Sequence, residues 1–173
     1  TTNMFFLHKK GDILNPENYR PIAIMNHITK IFTKILFNRL YSWADSYEII
    51  PGKQFGFRKG KSCAHCIFAL AAIINIRLDH KKLNFYGVFV DFKKAFDSVN
   101  HVLLWEKLFK LGVSSKFLRI LRDLYNKAAI LFPETGSQVN ITEGVLQGDV
   151  LSPLLFALFI ADIVPYFNTK GGR

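Results

Sequence analysis

Phe89-Val90-Asp91-Phe92-Lys93-Lys94-Ala95-Phe96-Asp97 closes a run, Phe85 to Phe92, that is continuously apolar and β-prone apart from Gly87 and Asp91. Such a run reads as a strand buried on both faces. Asp91 then stands at its far end, where a carboxylate is costly unless it is paired, hydrogen-bonded or bound to a metal. A tight turn follows. Taken alone, an Asp in this setting is ordinarily a cap or turn residue, so the stretch carries chemistry only with support from elsewhere in the chain.

The second informative stretch is Gly144-Val145-Leu146-Gln147-Gly148-Asp149-Val150-Leu151-Ser152-Pro153-Leu154-Leu155-Phe156. It places a polar, glycine-flanked loop directly before a helix, Leu154 to Val164, with Ser152 and Pro153 suited to its Ncap and N1 positions. Glycine has no side chain to block close approach, so such a loop can bring backbone against a ligand.

Working outward, Met4–Leu7 and Pro21–Met25 read as a β-hairpin, and the turn-rich connection between them carries Lys9, Lys10 and Arg20. Asn26 caps an amphipathic helix in which Ile28, Ile31, Phe32, Ile35, Leu36 and Leu40 recur at helical spacing. Pro51-Gly52 ends that region, and Gln54 to Lys61 is a loop dense in Gly, aromatic and basic residues before a helix opened by Ser62. Asn100 precedes a helix stopped by Gly112, Ser114 or Ser115 opens the next, and Ala128–Phe132 and Gln138–Thr142 read as short strands joined through Pro133-Glu134-Thr135-Gly136. No internal repeat or long linker interrupts this order, so the expected class is α+β, helices packed on a small, mainly antiparallel sheet.

The chain has 173 residues, half of them apolar, enough for one core, and a net charge of +10. Residues 1–60 hold nine Lys or Arg against four acids, residues 61–113 eight against four, and residues 114–173 six against five. The basic surface therefore belongs to the first two thirds and suits a polyanionic partner, nucleic acid first, although charge alone also fits a solvated surface. Cys63 and Cys66 are too few for a disulfide framework. With His65 they resemble half a zinc site, but no second ligand pair follows, so buried thiols on an apolar helix from Ser62 to Leu78 are expected. The longest apolar run, Leu154 to Ile160, is far below spanning length. With no signal peptide pattern, the expectation is an intracellular chain without a membrane partner.

Lys9-Lys10-Gly11-Asp12, Asn18-Tyr19-Arg20-Pro21-Ile22, Gln54-Phe55-Gly56-Phe57-Arg58, Val90-Asp91-Phe92-Lys93-Lys94-Ala95-Phe96-Asp97 and Gln147-Gly148-Asp149-Val150-Leu151-Ser152-Pro153-Leu154-Leu155-Phe156 follow one another in the order of five motifs. In this the chain resembles the reverse transcriptase (RNA-directed DNA polymerase) domain of non-LTR, LINE-like retrotransposons, from about Phe5 to Asp162. The resemblance implies a right-hand polymerase fragment, with fingers over about 1–80 and palm over about 81–173. It implies an RNA template, a DNA primer, deoxynucleoside triphosphates and magnesium, or manganese in its place. Asp91 is then a catalytic, metal-binding carboxylate, hard oxygen suiting magnesium, and the backbone carbonyl of Phe92 faces a metal as well. Phe96 resembles the aromatic gate under the nucleotide sugar; ordinary core packing is its alternative. Gln147 and Gly148 resemble the loop against the nascent base pair, or a plain turn before a helix. Arg20 and Lys9 or Lys10 resemble the cations that meet the triphosphate, a task for a guanidinium fork and a point charge, or solvated hairpin charges.

Arg58, Lys59 and Lys61, interleaved with Phe55 and Phe57, suit contact with a template backbone, or form a solvated loop. Asp97 fits the start of the next helix and stays outside the catalytic set. Asp149 stands where many relatives have a small neutral residue. No Tyr/Phe-x-Asp-Asp pair occurs up to Arg173. The expectation is a domain truncated before that motif, without a thumb, whose parent reverse-transcribes while this chain alone does not polymerise. Nuclear residence follows from the resemblance only. The competing expectations are a non-catalytic nucleic-acid-binding remnant and a reverse transcriptase of the group II intron maturase type.

Overall fold

Strand β1, Thr2–His8, runs antiparallel to β2, Tyr19–Ile24, with Met4 opposite Ala23 and His8 opposite Tyr19. The computed structural model describes residues 2–80, 84–132 and 136–171. Between the two strands Asp12, Asn15 and Asn18 fold the chain through side-chain to backbone hydrogen bonds, and Gly11 supplies a positive φ of 91°. Helix α1, His27–Ser46, begins where the Asn26 side chain accepts from the Thr29 N–H at 2.7 Å. Helix α2, Cys63–Asn75, is capped by Ser62 and continues through a wider turn, Ile76–His80.

Helix α3, His101–Lys110, is capped by Asn100, and α4, Ser115–Asn126, by Ser114. Short strands β3, Ala129–Leu131, and β4, Gln138–Asn140, follow, then α5, Ser152–Phe159, and α6, Ile163–Gly171. The sheet order is β2-β1-β3-β4, and the β1–β3 pair is parallel while the other two are antiparallel. This is a mixed α/β fold with a small, mainly antiparallel sheet, and no helix among the described residues is long and apolar enough to cross a membrane.

The core lies between helices. Leu36, Leu40 and Ala44 of α1 meet Leu104 and Leu108 of α3, Leu121 of α4 and Leu154, Leu155 and Leu158 of α5. Burying each such side chain contributes roughly 1.5–3 kcal/mol, which is why these positions, and not cap chemistry, hold α3, α4 and α5 together.

Five expectations need correction. The run Phe85 to Phe92 is not a buried strand: it is irregular and unpaired among the described residues, and Tyr86, Val88 and Phe89 are 86–88% exposed. Apolar patterning reports which faces a strand would bury, whereas a strand also needs a hydrogen-bonded neighbour, and no described strand lies beside this one. The stripe on α1 is rotated: Ile28, Ile31, Phe32 and Ile35 are exposed, while Thr33 is wholly buried in phase with Leu36, Leu40 and Ala44.

Cys63 and Cys66 are exposed rather than buried, because α2 packs none of its residues into the core. Leu151, not Ser152, holds the cap position of α5, and Ser152 enters the helix fully buried. The expected helix through Val164 instead breaks after Phe159 and restarts at Ile163, since Pro165 has no N–H and its ring would clash with the carbonyl four residues earlier. Of the connection expected between the two short strands, Pro133, Glu134 and Thr135 lie outside the described residues.

Candidate functional site

Residues 93–98 form a turn in which Lys94 takes a positive φ of 51° and its carbonyl accepts from the N–H groups of Asp97 and Ser98 at 2.9 and 3.0 Å. The turn aims Phe96 back at the protein. Its ring stacks on Phe156 of α5 at 5.2 Å, and Phe57, from the loop before α2, meets it edge-on at 5.7 Å. Phe96 is nonetheless only half-buried. It packs and also presents a face.

Alongside this turn runs the loop Gly144 to Asp149. The Val145 N–H donates to the Phe96 carbonyl and the Gly144 N–H to the Val99 carbonyl, both at 2.8 Å. Gly144 has φ +83°, and a Cβ there would lie 2.9 Å from the Asp97 carbonyl oxygen, so the close approach requires glycine. His101 Nε2 contacts the Gly144 carbonyl at 2.7 Å, the geometry of a ring N–H donating to it.

Gln147 is held at both ends. Its side-chain Nε2 donates to Asp97 Oδ1 at 2.8 Å, and its backbone carbonyl accepts from the Ala23 N–H of β2 at 2.6 Å. Gly148, at φ +111°, lets the backbones touch, because a Cβ would sit 2.6 Å from the Ala23 carbonyl oxygen. Met4, Phe6, Pro21, Asp97, Glu143 and Gln147 line a cavity of about 230 Å³ between the sheet and this loop. Phe96, Gln147, Gly148 and Asp97 therefore belong to one assembly built from residues far apart in the chain.

Asp91 is exposed and has no ion pair or hydrogen bond among the described residues. Its neighbour Phe92 meets Phe156 edge-on at 6.3 Å, the ring on which Phe96 stacks, but the Asp91 carboxylate itself makes no contact with Phe96 or the Gln147 loop among the described residues. Lys94 Nζ pairs with Glu17 Oε1 at 3.3 Å, joining the 93–98 turn to the β1–β2 connection. That hydrogen bond, and the charges of Lys94, Lys93 and Lys9, hold the Glu17 carboxyl below its usual range. Lys9 thus lies in the same field as the turn. Lys10 and Arg20 are exposed on the hairpin.

Two cations of the loop before α2, Arg58 and Lys61, are engaged locally. Arg58 donates to the Pro51 carbonyl at 3.0 Å and lies 3.9 Å from Asp45, while Lys61 contacts the Gly52 carbonyl and sits 4.8 Å over the Phe55 ring. Lys59 contributes only its backbone N–H, to the Tyr41 hydroxyl at 3.3 Å, and its ammonium remains in solvent. This loop is fastened to α1, with Phe57 as its reach toward Phe96.

Sequence reasoning missed two things. Asp97 fastens Gln147, a partnership across fifty residues that no local pattern signals. Asp149 is only 4% exposed and is enclosed with Thr33 and Tyr125, which burial of an acid beside a glycine does not announce.

Divalent metal chemistry needs several hard oxygen donors in one place. Asp91 and the Phe92 carbonyl are donors of that type, but no group of three or more His, Cys, Asp or Glu among the described residues could hold an ion, and Asp97 is occupied by Gln147. The donors present are thus chemically suitable and too few.

The model of the reverse transcriptase (RNA-dependent DNA polymerase) family matches residues 7–170, nearly the whole chain. The chain belongs to the reverse transcriptase family. It is 33% identical, over 92% of its length, to the Probable RNA-directed DNA polymerase from transposon BS of Drosophila melanogaster, covering 18% of that protein. It is 30% identical to the corresponding protein of transposon X-element from the same fly, over 91% of this chain and 18% of the relative. It is also 30% identical to the Pol polyprotein of the type-1 retrotransposable element R2 of Popillia japonica, over 95% of this chain and 23% of the relative. These relatives are non-LTR retrotransposon polymerases, of which this reverse transcriptase chain spans about a fifth.

Proposed function

We propose that this chain forms the nucleotide-selecting part of an RNA-directed DNA polymerase, with residues 1–80 serving as fingers and residues 81–173 as palm. The observation that carries the reading is the double fastening of Gln147, to Asp97 by its side chain and to Ala23 by its backbone, beside the half-buried Phe96 ring. A loop held this way keeps its backbone fixed relative to the turn that carries Phe96, the kind of rigidity that orients a base pair before chemistry. In this reading Phe96, part-exposed beside that loop, is the ring that a ribose 2′-hydroxyl would meet, and so excludes ribonucleotides. Lys9, Lys10 and Arg20 supply positive charge for the triphosphate, and Lys59, the freest cation of its loop, contacts template phosphate, with Arg58 and Lys61 shaping that loop.

Asp91, with the Phe92 carbonyl, would hold magnesium or manganese. When bound, such an ion supplies charge neutralisation at the transferred phosphate and activates the primer hydroxyl. This chain provides too few donors to complete the site, so its own residues account for binding and orientation and for no transfer step. The test is single-nucleotide insertion on an RNA template by a polypeptide that carries this chain, comparing native Gln147 with Gln147→Ala. A raised nucleotide KM supports the reading, and unchanged kinetics contradict it.

A second reading, a nucleic-acid-binding module without chemistry of its own, is favoured by that shortage of carboxylates together with the net charge of +10. It predicts retained, salt-sensitive RNA binding in Asp91→Asn with no extension by either protein.

A further inference from the structure

We propose that Asp149 is a positioning residue: with Thr33, Tyr125 and Ser152 it forms a buried, water-binding clasp that sets the height of the Gln147–Gly148 loop. The inference rests on the reading of that loop as a nucleotide site. A cavity of about 100 Å³ lies beneath the loop, lined by Thr2, Met25, Thr29, Thr33, Tyr125 and Asp149 among others. It has room for more than one water and the polar groups to hold them.

Three atoms of this region, Asp149 Oδ1, the Tyr125 hydroxyl and Ser152 Oγ, are fully buried and make no well-formed hydrogen bond among the described residues, although the Tyr125 hydroxyl lies close to Ser152 and to the Leu146 backbone. One such atom is costly; three together mark a place built around something polar. The hydroxyl of Thr33, wholly buried on a face of α1 otherwise occupied by Leu and Ala, donates to the Lys30 carbonyl at 3.3 Å and lies beside the Asp149 carboxyl on the same cavity wall. Lys127, at the end of α4, lines the same cavity.

The clasp joins four elements. Thr33 lies on α1, Tyr125 on α4, Ser152 on α5, and Asp149 directly follows Gly148, whose backbone abuts β2. The Asp149 N–H returns to the Leu146 carbonyl at 3.2 Å, so fixing the carboxyl fixes the turn that contains Gln147. Waters bridging Asp149 Oδ1 to Tyr125 and Ser152 complete the set of bonds without adding a side chain.

The test is amide hydrogen exchange at Ala23, whose N–H donates to Gln147, in the native chain and in Asp149→Ala, Tyr125→Phe and Asp149→Asn. Leu40 and Leu121, in the helical core, report global stability. Expected is a tenfold or greater rise in Ala23 exchange for Asp149→Ala, a smaller rise for Tyr125→Phe, and near-native protection for Asp149→Asn, which keeps an acceptor. Unchanged Ala23 exchange in Asp149→Ala overturns the proposal. So does loss of protection by one common factor at Ala23, Leu40 and Leu121 in every variant, which would make the cluster a plain stability element. A crystal structure should show water bonded to Asp149 Oδ1 and the Tyr125 hydroxyl, and a cavity closed by side chains overturns the water site. In an extending polypeptide Asp149→Ala should raise the nucleotide KM about tenfold with a smaller change in kcat. Faster Ala23 exchange with an unchanged KM keeps the clasp and removes the loop from the nucleotide site.

Discussion

Gln147 Nε2 lies 2.8 Å from Asp97 Oδ1, and this bond ties the turn that carries Phe96 to the loop that touches β2. A hydrogen bond to a charged acceptor contributes about 1.5–3 kcal/mol. Asp97→Leu is therefore expected to raise the nucleotide KM by about ten- to a hundredfold, in line with that energy. Asp97→Asn, which still accepts from Gln147, should stay within a few-fold of native. Steady-state insertion kinetics on both variants check this, and equal defects would show that the carboxylate acts otherwise than through Gln147.

Gly148→Ala places a Cβ 2.6 Å from the Ala23 carbonyl oxygen at a φ of +111°. Both the contact and the backbone conformation oppose it, with a cost on the order of 1–3 kcal/mol. Denaturant unfolding should show that loss, whereas Gly52→Ala, which meets nothing within 4 Å, should be close to neutral.

Burial pushes the Asp149 carboxyl up, against the pull of Thr33 and of the Val150 and Leu151 N–H groups. The folded chain thus holds this proton more tightly than the unfolded chain. Its contribution to stability is greatest below the ordinary carboxylate value and declines as pH rises from there through the raised folded value. Asp149→Asn removes the ionisation, so its stability relative to native should improve between acid and neutral pH. Denaturant midpoints measured across that range check the sign, and a variant that loses stability relative to native as pH rises contradicts it.

Asp91→Asn touches an exposed side chain with no partner among the described residues, so stability should change by less than about 0.5 kcal/mol. If Asp91 holds a catalytic ion, primer extension by a polypeptide carrying the chain should fall by about a hundredfold or more. Thermal unfolding and extension measured on the same protein separate the two, and intact extension would remove Asp91 from the mechanism.

The helices were legible because Asn26, Ser62, Asn100 and Ser114 each cap the helix they precede, and cap chemistry is local. The β1–β2 hairpin was legible for the same reason. The rotation of α1 was not, since Ile28 and Ile31 look like core until the fold buries Thr33 beside Asp149, 116 residues away in the sequence. Phe85 to Phe92 misled because its pattern describes faces and is silent about a pairing neighbour. At the site, the residue types of Phe96, Gln147 and Gly148 could be singled out from the sequence, whereas the fastening of Gln147 by Asp97 and Ala23 exists only once the chain has folded.

Phe96 separates sugar selection from packing, because its ring is stacked on Phe156 yet remains partly exposed. The deciding measurement is the ratio of kcat/KM for a deoxynucleotide to that for the matching ribonucleotide, on an RNA template, in native protein and Phe96→Val. A fall in that ratio of about tenfold or more, driven by faster ribonucleotide insertion, is expected from losing one steric exclusion worth about 1.4 kcal/mol or more. A ratio that stays constant while both substrates slow equally would show that Phe96 only packs, and would contradict the nucleotide-selecting role assigned to this face.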